Sequence, residues 1–170
     1  MSQAIQYLLF VIFPLCLAYG AISDIMTMTI PNWLVGIMVC AFVLIAPLSG
    51  LDLASFAWHW AIALSVLAVA FACFACGWIG GGDAKFAAAI ALWLGSGNIL
   101  EFLTAAGIAG GALTLAVVAF RAKWLPAFAL RQEWLMRLHD PKAGVPYGVA
   151  LAAAALFVYP DTLWMKLAAG

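Results

Sequence analysis

The sequence predicts an all-α, polytopic membrane protein: a single domain over residues 1–170 built as a bundle of six transmembrane helices. Three observations carry this. Of 170 residues, 68% are apolar and 8% charged, where a soluble domain carries about 25% charge, and the mean hydropathy is +1.15. The apolar residues fall in continuous runs near the ~20 residues that cross a bilayer. They do not alternate with polar residues, as the strands of an outer-membrane barrel do. Seven Lys and Arg balance seven Asp and Glu, which leaves no basic surface for nucleic acid.

The six spans are expected at about 4–22, 33–49, 56–76, 84–99, 102–120 and 145–163. The first run is long and lacks a basic region ahead of it, so it reads as a retained helix and not as a signal peptide. A polar connector ending in Pro31-Asn32 follows. The second connector is a brief turn holding Asp52. The third span contains Cys73 and Cys76, and with no second CxxC and no nearby His, the four cysteines read as small apolar packing residues. A glycine-rich connector, residues 77–83, opens the fourth span. Ser96, Gly97, Asn98 and Glu101 separate the fourth span from the fifth, and Gly107 and Gly111 within the fifth suit close helix packing, inside one chain or between copies. Residues 121–143 are the long polar stretch. They mix Trp124, Trp134 and Leu138 with basic residues, as an interfacial amphipathic segment on an anionic leaflet does.

Arg121, Lys123, Arg131, Arg137 and Lys142 in that stretch are five of the seven basic residues. By the positive-inside rule the fifth connector is cytoplasmic. The first and third connectors share its side, and both termini are then expected on the periplasmic face. Trp33, Trp58, Trp60 and Trp78 fall near span ends, as an aromatic belt would.

That orientation brings Asp24 and Asp83 to the same interface. A carboxylate beside the bilayer core is costly, from about 2.5–3.5 kcal/mol at a helix centre, which makes it a functional candidate. Two carboxyls in reach of each other can divide acid and base roles, one activating water while the other protonates a leaving group. Gly80, Gly81 and Gly82 would let the backbone bend and approach a substrate strand closely. Asp83 would lie at the N-terminal, positive end of its helix, and Asp24 at the C-terminal end of the first. His59 and His139 stand alone, without metal-ligand partners. Asp52, Glu101 and Asp161 belong to the opposite face.

Three segments now carry a resemblance. Asp24-Ile25-Met26-Thr27-Met28-Thr29-Ile30-Pro31-Asn32 resembles the first catalytic segment of the type IV prepilin peptidases, in which an Asp precedes Ile-Pro-Asn. Gly80-Gly81-Gly82-Asp83-Ala84-Lys85 resembles their GxGD motif with its following basic residue. Val145-Pro146-Tyr147-Gly148 resembles the Pro-Phe-Gly element before their last helix. The resemblance implies an intramembrane aspartyl endopeptidase of the bacterial inner membrane. It would remove the short leader of prepilins and pseudopilins at the cytoplasmic face, after a Gly, in pilus assembly or protein secretion. Asp24 and Asp83 map onto the catalytic pair. Pro31, Asn32, Gly80, Gly81, Gly82, Lys85, Pro146, Tyr147 and Gly148 would shape the site. No cofactor and no metal are implied; the partners are the substrates and membrane lipids, with a homo-oligomer possible. The chain resembles the short form that serves Flp-type (Tad) pili, without the N-terminal methyltransferase half. Thr27, Met28 and Thr29 stand where the family often carries basic residues. The alternative from another class is an ion- or proton-coupled transporter using the paired Asp. A transporter would place its acids near the midplane, often on paired repeats, and a non-catalytic assembly subunit would need neither Asp.

Overall fold

The computed structural model describes residues 3–125 and 131–169, all of its regular structure helical. The helices are α1 (Gln3–Thr27), α2 (Asn32–Leu48), α3 (Leu53–Ala75), α4 (Gly81–Arg121), α5 (Glu133–His139), α6 (Tyr147–Val158) and α7 (Leu163–Ala169), with 3₁₀ turns at Pro141–Ala143 and Tyr159–Asp161. Two of them, α3 and α4, are long and apolar enough to cross a membrane, while Val11–Thr27, α2 and Tyr147–Asp161 are shorter apolar stretches. Large side chains such as Leu44, Val69, Phe71, Ile108 and Leu115 are exposed on the outward faces. Such a surface suits lipid and not water.

The connectors end the helices by identifiable means. At the end of α1, Met28 turns left-handed at φ 54°. Hydroxyls stitch the turn: Ser23 Oγ donates to the Thr29 carbonyl at 2.9 Å and Thr27 Oγ1 to that of Ser23 at 2.8 Å. Pro31 then caps α2, its fixed φ and missing N–H costing nothing at a helix start. Asp52 caps α3, accepting from the Ser55 amide at 3.0 Å.

The largest departure from expectation lies in α4. Separate spans were expected at 84–99 and 102–120, with Ser96, Gly97, Asn98 and Glu101 between them. These residues are helical, and the single break is Gly95, at φ 63° and ψ −165°. A straight helix of 41 residues would run about 60 Å, twice the hydrocarbon thickness. It does not run straight: Ala87 and Ala106 line one small cavity of about 110 Å³, although a straight helix would hold them about 28 Å apart. The two halves of α4 therefore fold back on each other at one residue.

An unbroken helix would satisfy the Leu92 and Trp93 carbonyls with amides four residues on. At the break side chains do so instead. His59 Nδ1 hydrogen-bonds the Leu92 carbonyl at 2.7 Å, and Trp164 Nε1 donates to that of Trp93. His59 is thus buried with a backbone partner, where the sequence showed only a histidine standing alone. Its ring occupies the space beside Gly95, 2.5 Å from where a Cβ would project. Around this point Phe13 stacks on Trp93 with centroids 5.1 Å apart, and Trp164 meets Phe42 edge-on at 5.8 Å. Trp93 Nε1 donates to the Met38 carbonyl at 3.0 Å, tying α4 to α2.

The last expected span, 145–163, is also divided. Pro160 falls in the 3₁₀ turn that ends α6, because proline cannot continue a helix interior, and α7 resumes beyond it. Among the described residues nothing packs closely on the Gly107/Gly111 pair; neither has an atom within 4 Å of its missing Cβ, whereas the missing Cβ of Gly110 has the Tyr147 ring at 3.1 Å. Cys16 packs in the core, but Cys40 and Cys76 are exposed, and all four thiols are free.

Replacing His59 by Phe keeps the ring and leaves the Leu92 carbonyl unmet. It is expected to cost about 1–3 kcal/mol, read as a lower thermal midpoint in detergent micelles. An unchanged midpoint would remove this hydrogen bond from the account of the break.

Candidate active site

The first, third and fifth connectors meet at the end of the bundle opposite Gly95. Asp24 from the last turn of α1 and Asp83 from the first turn of α4 line one cavity of about 260 Å³, together with Ile30, Asn32, Gly80–Gly82 and Lys85. Two contacts bring the helices close enough. Phe86, a turn beyond Asp83, lies against Gly20, where a Cβ would be 2.6 Å from the ring. Gly82 lies over the Ile30 backbone, where a Cβ would be 3.5 Å from the Ile30 nitrogen.

Each carboxyl is held by a backbone amide. Asp24 is only 5% exposed, and its Oδ2 accepts from the Gly148 N–H at 2.7 Å. That amide belongs to the first turn of α6, so the carboxyl faces a positive helix end. Its place at the C-terminus of its own helix had suggested the reverse. Gly148 is glycine for a steric reason: a Cβ there would sit 2.8 Å from both Asp24 Oδ2 and Ile30 Cδ1. The Asp83 carboxyl turns back to the Gly80 backbone that starts α4, as the third residue of a capping box does. A Gly80 Cβ would meet Asp83 Oδ2 at 2.8 Å.

The other expected site residues divide by role. Lys85 Nζ donates to Asn32 Oδ1 at 2.9 Å, bridging the two Asp-bearing segments. Pro31 and Pro146 cap α2 and α6. Tyr147 lines the neighbouring small cavity with Asp83 and Ala87, and its hydroxyl lies 3.0 Å from Thr114 Oγ1. Gly81 faces Phe74 on α3, 3.3 Å from the missing Cβ. Among the described residues no three of His, Cys, Asp and Glu converge as metal ligands.

Sequence patterns did not reveal what holds the fifth connector in place. Arg121 Nε donates to the Leu138 carbonyl at 2.9 Å, and its Nη2 donates to that of Gly144. Arg137 Nη1 donates to the Met26 carbonyl at 2.6 Å, two residues from Asp24. These cations had read only as an orientation signal; nothing in their spacing marks the carbonyls they reach. Residues 126–130, part of the expected amphipathic stretch, lie outside the described residues.

Gly148→Ala is expected to push Asp24 from its amide and lower stability by about 1–3 kcal/mol. The control is Gly111→Ala, which fills open space. Equal thermal midpoints for the two variants would show that Gly148 is not sterically required.

The geometry can be set beside known proteins. The family model described as the type IV leader peptidase family matches residues 11–115, a stretch that includes both aspartates. No curated protein and no solved structure gives a significant match. By that match over well more than half of its length, the chain belongs to the type IV leader peptidase family.

Proposed function

We propose that this protein is an aspartic endopeptidase that cuts the leader from Flp-type prepilins or pseudopilins, after a Gly, at the cytoplasmic face of the bacterial inner membrane. One observation carries the reading: two carboxyls from distant segments line a single cavity walled by three glycines. Family membership supplies the reaction type, peptide hydrolysis of a leader.

In the proposed mechanism Asp24 and Asp83 hold a water between them and share one proton. The ionised carboxyl removes a proton from the water as its oxygen attacks the scissile carbonyl carbon. The protonated carboxyl gives its proton to the carbonyl oxygen, forming a gem-diol. Collapse of the gem-diol breaks the C–N bond, the leaving nitrogen takes a proton, and the carboxyl pair regains its starting protonation. No covalent intermediate forms. The Gly148 amide occupies one Asp24 oxygen and so leaves the other for the water. The substrate must be extended where it is cut, because a helix hides its carbonyls, and the glycine walls leave room for an extended strand.

The membrane arrangement belongs to the same proposal. The chain is one peptidase domain of six spans, in which the two halves of α4 count separately. The basic fifth connector sets the cytoplasmic side, and both termini are periplasmic.

The test is cleavage of a purified Flp-type prepilin in detergent, followed by intact mass. Wild type should release a product shortened at a Gly. Asp24→Asn and Asp83→Asn should each lower the rate by about 10²–10⁴-fold or more, with the thermal midpoint retained. Substantial cleavage by either folded variant removes that residue from the mechanism.

A further inference from the structure

A further, larger cavity adjoins the candidate active site. It is a groove of about 520 Å³ between α3 and the start of α4. Leu64, Leu67, Ala68, Phe71 and Phe74 form its α3 wall. Their spacing puts them on one helix face over nearly three turns, about 15 Å. That face is unpartnered: Leu64 is 57% exposed and Phe71 62%. The one charged group in the lining is Lys85, at the end where the groove meets the site.

Two features separate this groove from an ordinary lipid-facing surface. First, Gly81 and Lys85 line both the groove and the cavity holding Asp24 and Asp83, so the two spaces adjoin across these residues. Second, the junction has a built geometry. Phe74 closes over Gly81, 3.3 Å from its missing Cβ, and Lys85 is held on Asn32 at 2.9 Å. The site end of the groove is therefore defined by residues that also wall the carboxyl cavity. The groove runs from the site end of α3 toward the Gly95 end, which is the direction of membrane depth.

We propose that this groove docks the apolar helix of the substrate, the segment that follows the scissile bond. The proposal rests on the leader-peptidase reading. The leader lies on the cytoplasmic side of the cut, so the chain entering the membrane from the site is the part after it. Its helix packs along α3 by apolar contact, and it unwinds at the glycine-walled end, where the peptide bond must be extended.

The experiment combines a kinetic split with a capture. Ala68→Trp fills the middle of the groove, and Leu115→Trp adds the same bulk on an outward face of α4 that is 73% exposed and lines neither cavity. With full-length Flp-type prepilin in nanodiscs, Ala68→Trp should raise KM at least ten-fold with kcat little changed, and Leu115→Trp should leave both as in wild type. In the Asp24→Asn background, a photoreactive benzoylphenylalanine at position 67 should capture prepilin, and the same group at position 115 should not. If Ala68→Trp does not fold, the capture alone decides. An unchanged KM, or equal capture at 67 and 115, overturns the groove and leaves the peptidase reading standing. Failure of wild type to cut prepilin overturns the peptidase reading, and this proposal with it.

Discussion

The arrangement depends on how a buried carboxyl is satisfied in an apolar bundle. Asp24 is nearly closed off from solvent, and a buried polar group without a partner costs several kcal/mol. The Gly148 amide meets that need at 2.7 Å. To do so, α6 must begin against the end of α1, its second residue must be glycine, and the fifth connector must deliver it there. Arg121 holds that connector by two of its carbonyls, while Arg137 grips the end of α1 itself. The three connectors at this end are therefore one hydrogen-bonded assembly, which the segment carrying Asp83 joins through the Lys85–Asn32 bond.

The opposite end is organised differently. There α4 reverses at one glycine, and aromatic and imidazole N–H groups answer the carbonyls that the break releases. Rings from α1, α2, α4 and α7 fill the space around them. One end is rigid through packing, while the other is held by directional polar contacts around small residues.

How much of this the sequence disclosed follows from the kind of signal each feature leaves. The all-helical apolar architecture was legible because composition and run length report it directly. That Asp24 and Asp83 stand at one end of the bundle, lining one cavity, was legible because a carboxyl flanking an apolar run is rare, and because glycines and an Ile-Pro-Asn segment accompany the pair. The reversal was not placed correctly: the polar residues Ser96–Glu101 looked like a loop, yet they continue a helix, and Gly95 alone breaks the chain. A positive φ at one glycine leaves no periodic trace. The role of His59 was missed because its partner is a backbone carbonyl 33 residues away, and a freed carbonyl has no sequence signature. The arginine contacts were invisible for the same reason.

The short helices bear on the bilayer itself. The first half of α4, residues 81–94, and α6, with 12 residues, reach about 21 and 18 Å, against a hydrocarbon thickness near 30 Å. Such hydrophobic mismatch is relieved by local thinning of the lipid, at a fraction of a kcal/mol per Å. Both segments start at the carboxyl cavity. In the proposed membrane arrangement the film would be thinnest beside it, and water from the adjacent aqueous phase would have the least hydrocarbon to cross before it reached Asp24 and Asp83.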